Sequence, residues 1–219
     1  MLGYRKLGVY LGAVAVFALL PSAANAQVLQ YSPIYWSFDV RGGVTVPVGD
    51  LDDVMDSGAT IGAGLAYFLN PRLALRLDGN VDFLQAGSAT NPGAPDMNIY
   101  RIMGGLELHL VDPSSSDVSL SVNLLAGAAT LDSDEFSFDR PDGTKILAAQ
   151  LNETYFTFDG GVRLGVNASQ WVNIFVGGDV NVIFGDSDDS AFMAEFFGVD
   201  PFDTIVTIPI QGGIRINFP

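Results

Sequence analysis

The 219-residue sequence has no cysteine, which excludes disulfide frameworks, thiolate metal centres and cysteine nucleophiles together. Bases are scarce: 10 Lys and Arg stand against 25 Asp and Glu, a formal net charge of −15. Such a balance repels a phosphate backbone and excludes nucleic acid as a partner. Charged residues are only 16% of the chain and hydrophobic ones 48%, with a mean hydropathy of +0.31, which is greasy for a soluble protein. Yet beyond residue 26 no run approaches the ~18 apolar residues that a membrane helix needs. Neither a glycine-rich phosphate loop nor a Ser nucleophile elbow occurs, so the sequence calls for no cofactor and no catalytic residue is assigned.

The N-terminus carries an export address. Arg5 and Lys6 precede an apolar run from Leu7 to Leu20, and Ala24-Asn25-Ala26 is a small-x-small cleavage pattern. Residues 1–26 read as a signal peptide, and residues 27–219 as one barrel domain. An exported, greasy chain without a membrane helix points to strands that cross the bilayer.

Period-two alternation supplies those strands. From Trp36 to Val48 the even positions are apolar or glycine and the odd ones include Ser37, Asp39, Arg41 and Thr45. The same alternation recurs from Ala59 to Leu69, from Leu73 to Phe83, from Tyr100 to Leu110, from Val118, from Phe156 to Val166, from Val172 to Phe184 and from Val206 to Phe218. Eight strands result. Connections after the second, fourth and sixth are brief, whereas residues 49–57, 86–98, 131–153 and 185–204 form long ones after the first, third, fifth and seventh. Strict alternation of long and short connections predicts an all-β, up-and-down antiparallel barrel crossing a membrane, long loops at one end. A short helix over Ser190 to Phe197 is the one exception foreseen.

A soluble barrel alternates too, so orientation rests on polarity. Each strand has one nearly uncharged apolar face, while the other faces carry Arg41, Arg76, Arg101, Arg163 and Arg215 with Asp39, Asp78, Asp82, Glu107, Asp159 and Asp179. Export, strand lengths near the roughly 9–11 residues of a tilted membrane strand, and aromatics at strand ends all place the charged face inside. Trp36, Tyr67 and Phe218 form one interfacial girdle, and Phe83, Tyr100, Phe156 and Phe184 the other. Pairing the third and fourth strands symmetrically about their loop sets Arg76 opposite Glu107 and Asp82 opposite Arg101. The mixed charges therefore read as a compensated network plugging the lumen.

Strand number, loop alternation and the closing strand resemble the small outer-membrane β-barrel family that includes the OmpA transmembrane domain and OmpX, over about Ile34 to Phe218. The resemblance implies a protein of a Gram-negative cell envelope, in contact with outer-membrane lipid and lipopolysaccharide. It also implies recognition by the barrel-assembly machinery through Ile214, Ile216 and Phe218, although Pro219 trails the terminal aromatic. The length leaves no room for the peptidoglycan-binding domain of full-length OmpA proteins, so no cell-wall tether is expected. His109, the single histidine, lies by the short-turn end, whereas outer-membrane enzymes that use histidine carry it toward the outer end; a hydrogen-bonded lumen or rim residue is expected there.

The loops hold most of the acid: Asp50, Asp52, Asp53 and Asp56 in the first, Asp132, Asp134, Glu135, Asp139 and Asp142 in the third, and Asp186, Asp188 and Asp189 in the fourth. Such carboxylates attract hard divalent cations that bridge to anionic lipopolysaccharide, although the spacing of a calcium loop is absent and no metal site is assigned. Phe192, Met193, Phe196, Phe197 and Phe202 form an apolar patch suited to an extracellular protein or another surface ligand. The leading function is thus a structural or surface-interaction barrel, a monomer. A narrow channel for ions or small apolar solutes, porin-like, is the alternative, and a lipid-modifying enzyme the third reading.

Overall fold

The computed structural model describes residues 34–49, 51–52, 55–87, 96–112, 116–133, 137–139, 145–147, 152–185 and 204–219. Ten strands lie in these segments: β1 Trp36–Val48, β2 Met55–Asn70, β3 Leu73–Ala86, β4 Met97–Val111, β5 Val118–Ser133, β6 Ser137–Asp139, β7 Lys145–Leu147, β8 Asn152–Asn167, β9 Val172–Phe184 and β10 Thr204–Phe218. Eight of them close into a barrel in the order β1-β10-β9-β8-β5-β4-β3-β2, every pair antiparallel. The remaining two, β6 and β7, form a separate antiparallel hairpin within the third long connection.

The first and seventh expected strands have the observed limits, but the others run further toward the long-loop end. β2 begins at Met55, not Ala59, and β4 at Met97, not Tyr100. The loops are correspondingly shorter, so Asp56 and Asp132, expected in loops, lie in β2 and β5. Strands of 13–16 residues exceed the roughly 9–11 that a tilted strand needs to cross a bilayer, so part of the wall stands outside the membrane.

Short turns form where side chains satisfy the freed backbone. Asn70 Oδ1 accepts from the backbone N–H groups of Arg72 and Leu73 at 2.9 and 3.0 Å, an Asx turn between β2 and β3. Ser169 Oγ accepts likewise from Trp171 and Val172 at 3.2 and 3.1 Å between β8 and β9. Closure of so narrow a barrel also needs close backbone approach. A Cβ on Gly43 would overlap the Ile210 carbonyl oxygen and lie 2.8 Å from Gln211 Cα, so β1 and β10 meet there only because the side chain is missing.

Polarity is inverted relative to a soluble domain. Outward side chains are aliphatic and exposed, among them Leu65, Leu75, Leu77, Ile102, Leu106, Leu124, Val162, Leu164 and Ile214, while all eleven predicted charged side chains are buried inside. Such an exterior has no favourable contact with water over this area and matches hydrocarbon. Trp36 pairs with both Tyr67 and Phe218, its ring 4.6 Å from that of Tyr67, and Phe156 pairs with Phe184 with rings 6.0 Å apart. These belong to the two interfacial girdles.

Candidate functional site

Seven of the predicted lumen charges join one network. Arg76, on β3, is its hub: Nη2 lies 2.7 Å from Asp39, Nε 2.8 Å from Asp78 and Nη1 3.0 Å from Glu107. Arg41 bridges Asp39 and Asp78 at 2.8 and 2.6 Å, and donates to Gln211 Oε1 and Asn80 Oδ1 at 2.8 and 2.9 Å. Arg215 reaches Glu107 at 2.7 Å and Asp39 at 3.6 Å, and Arg163 reaches Asp78 at 3.3 Å. The Arg163 and Arg215 guanidinium carbons also sit 5.6 and 5.8 Å from the centre of the inward Phe175 ring. Carboxylates with several guanidinium partners recover in contacts much of the hydration that burial removes.

Four predicted charges lie outside this network. Arg101 pairs with Asp82 at 2.6 Å, alongside Thr45 and Thr207. Asp159 and Asp179 are held by a neutral donor, the Asn123 amide, at 2.7 and 3.2 Å. The expected register of β3 and β4 is off by two residues: Ala74, not Arg76, faces Glu107, and Asn80, not Asp82, faces Arg101. Both expected ion pairs nevertheless form, along the diagonal. A long guanidinium reaches the diagonal neighbour in a tilted-strand barrel, and Gly64 on β2 leaves room for it, since a Cβ there would overlap the Arg76 guanidinium.

Toward the long-loop end the lumen changes character. Met55, Leu84, Met97, Ile99, Ala129, Leu131, Ile183 and Ile205 turn inward and pack with Leu51 and the half-buried Tyr155 into a dry cluster. Seven of the eight barrel strands contribute to it. Outward positions at the same level are polar: Gln85, Asn98, Asp132 and Thr154 lie one step beyond Phe83, Tyr100 and Phe156. Thr130 and Thr154 bond to each other on the outer wall, Oγ1 to Oγ1 at 2.9 Å. The barrel is therefore apolar outside and charged inside within the bilayer, but apolar inside and polar outside in the collar above it. Ile99 is fully buried in the cluster. An Ile99→Val substitution is expected to cost about 0.5–1.5 kcal/mol, read as a lower urea midpoint with unchanged slope.

At the other end Phe68, Ala66 and Ala74 form a small apolar base with Ile34. His109 stacks on Phe68 with ring centres 5.0 Å apart, and its Nε2 lies 3.4 Å from Glu107 Oε1. Among the described residues neither ring nitrogen has a hydrogen-bond partner, and the ring is held by packing on Phe68. Ser121 Oγ donates to the same Glu107 oxygen at 2.8 Å.

Of the expected loop cation residues, Asp52 follows β1 in a helical turn, its N–H donating to Gly49 O at 3.0 Å, and Asp132 is half-buried at the end of β5. Asp50, Asp53, Asp134, Glu135, Asp186, Asp188 and Asp189 fall outside the described residues, as do the signal peptide, the Phe192 to Phe202 patch and the Ser190 to Phe197 helix. Among the described residues no group of three or more His, Asp or Glu side chains is placed to hold a metal. Sequence reasoning passed over Asn80, Asn123, Gln211, Thr45 and Thr207 as partners of the charges. Their inward register on the polar face was the signal available.

No protein-family model and no curated protein sequence matches the chain. Among solved structures, Neisserial surface protein A is similar at 14% identity and a TM-score of 0.54, over 84% of this chain and 97% of that one. Ail, the attachment invasion locus protein of Yersinia pestis, is similar at 13% identity and a TM-score of 0.53, over 85% of this chain and all of its own. The shared feature is the fold, that of the small outer-membrane β-barrels which the final strand and loop pattern resemble. Fold and inverted polarity together make the chain an integral barrel of the outer membrane.

Proposed function

We propose that this outer-membrane barrel works without chemistry, as a structural and surface-interaction protein that carries its acidic loops on a closed wall. The observation that carries the reading is the filling of the lumen: a buried charge network lies under a dry apolar cluster drawn from seven strands. An eight-stranded barrel is just wide enough for side chains to fill, and a filled barrel interacts through its ends and its lipid face.

Loop charge bears on the class of partner. Ail has been solved in complex with the heparin analogue sucrose octasulfate, a polyanion. A chain of net charge −15, with acid concentrated in its loops, repels such a ligand. Basic protein surfaces, or lipopolysaccharide phosphates bridged by divalent cations, are the partners this charge favours.

Planar-bilayer recording of the refolded barrel tests the closed lumen, with an electrically silent protein as the expected result. Large, long-lived open events would overturn the reading in favour of a channel. Binding to lipopolysaccharide vesicles that rises with millimolar calcium and collapses with chelator would support the surface role.

A further inference from the structure

Five arginines and six carboxylates line the lumen, and the uncompensated carboxylate can be located. Every acid but two has an arginine nitrogen within 4.0 Å among the described residues; Asp159 of β8 and Asp179 of β9 have none. The bases nearest along the wall turn one nitrogen elsewhere, Arg163 Nη2 to Asp78 and Arg101 Nη2 to Asp82, and their remaining nitrogens do not come within 4.0 Å of either carboxylate. Both carboxylates are nearly fully buried, at 2% and 6% exposure. Leaving two such anions side by side without a cation is costly in so dry a setting.

The surroundings are built of oxygen. Asn123, Gly161 and Asp179 form one row across β5, β8 and β9, and Asp159 faces Asn181 in the adjacent inward row. Asn123 donates its amide to both carboxylates, and its carboxamide Oδ1 has no partner among the described residues although the side chain is only 1% exposed. That oxygen and the Asp179 carboxylate border one space over Gly161: a Cβ there would overlap the carboxylate and lie 2.9 Å from Asn123 Oδ1. Asn181, also 1% exposed and the cross-strand partner of Asp159, has a second carboxamide oxygen without a partner among the described residues. Two carboxylates and two orphaned carboxamide oxygens are the donor set of a hard cation. We propose that Asp159, Asp179, Asn123 and Asn181 bind one hard metal cation inside the barrel wall, sodium and calcium being the two ions of that chemistry.

The test compares chelator-treated, refolded barrels in sodium, in millimolar calcium and in the bulky organic cation N-methylglucamine at equal ionic strength. Wild type is expected to lose its heat-modifiable fold about 5 °C lower in N-methylglucamine than with the metal it binds. The Asp159→Asn/Asp179→Asn double variant should melt alike in all three. Calcium acting only on the loops would shift both proteins equally, and that result would overturn the proposal. So would a wild type indifferent to metal that gains stability on acidification alone, the mark of a shared proton. Should the double variant not fold, Asn181→Leu removes one donor oxygen at constant charge. It is then expected to need about tenfold more metal for the same shift, and an unchanged requirement would count against the site.

Discussion

Replacing Arg76 with leucine is expected to lower the unfolding free energy by about 3–5 kcal/mol, the cost of breaking a buried ion pair from one side. The side chain is the one cation joined to Asp39, Asp78 and Glu107 together. Without it Asp39 keeps Arg41 and Arg215, Asp78 keeps Arg41 and Arg163, and Glu107 keeps Arg215, so three buried carboxylates each lose a partner. Urea titration followed by the gel shift between folded and unfolded barrels measures it. Arg76→Lys is expected to recover only part of the loss, because an ammonium carries the charge without the planar fork that serves three acceptors. Equal midpoints for Arg76→Leu and wild type would mean that the network contributes nothing to stability.

The second large effect lies on the opposite face. Leu106 is 46% exposed midway along β4, in a row with Leu75 and Leu124 on the neighbouring strands. Leu106→Arg is expected to destabilise the barrel by about 2–4 kcal/mol in lipid, because the charge would sit near the bilayer midplane. Thr154→Arg, on the outer wall beyond the Phe156 girdle, should stay within about 0.5 kcal/mol. The pair of variants maps the membrane border. If Leu106→Arg is as well tolerated as Thr154→Arg in vesicles, the aliphatic wall does not face hydrocarbon.

Barrel, orientation and the identity of the buried charges were legible in the sequence because a strand side chain has only two directions to point, and one direction held all the charge. The limits of β1 and β9 were legible for the same reason. Where the alternation changed sign, the reading failed. Leu84, Met97, Ile99 and Leu131 face inward on the side that elsewhere holds Arg and Asp, so their stretches looked like the start of loops. The β6–β7 hairpin was missed because strands of three residues leave too short a pattern to detect. Register was missed by two residues because hairpin symmetry fixes neither loop geometry nor barrel stagger, whereas the ion pairs survived because arginine spans the difference. The isolation of Asp159 and Asp179 was not legible at all, since sequence gives the sum of charges on a face and not their distances.

The collar has a consequence for biogenesis. Leu84 meets Met97 and Ile99 meets Leu131 as soon as neighbouring strands pair, but the nucleus draws on seven strands from β2 round to β10 and is complete only when the sheet has closed on itself. Its residues lie beyond the outer aromatic belt, in an aqueous setting where burial of greasy side chains still releases free energy. Completing the collar is thus a water-driven collapse beyond the lipid, which favours the inserted state over slipping back through it.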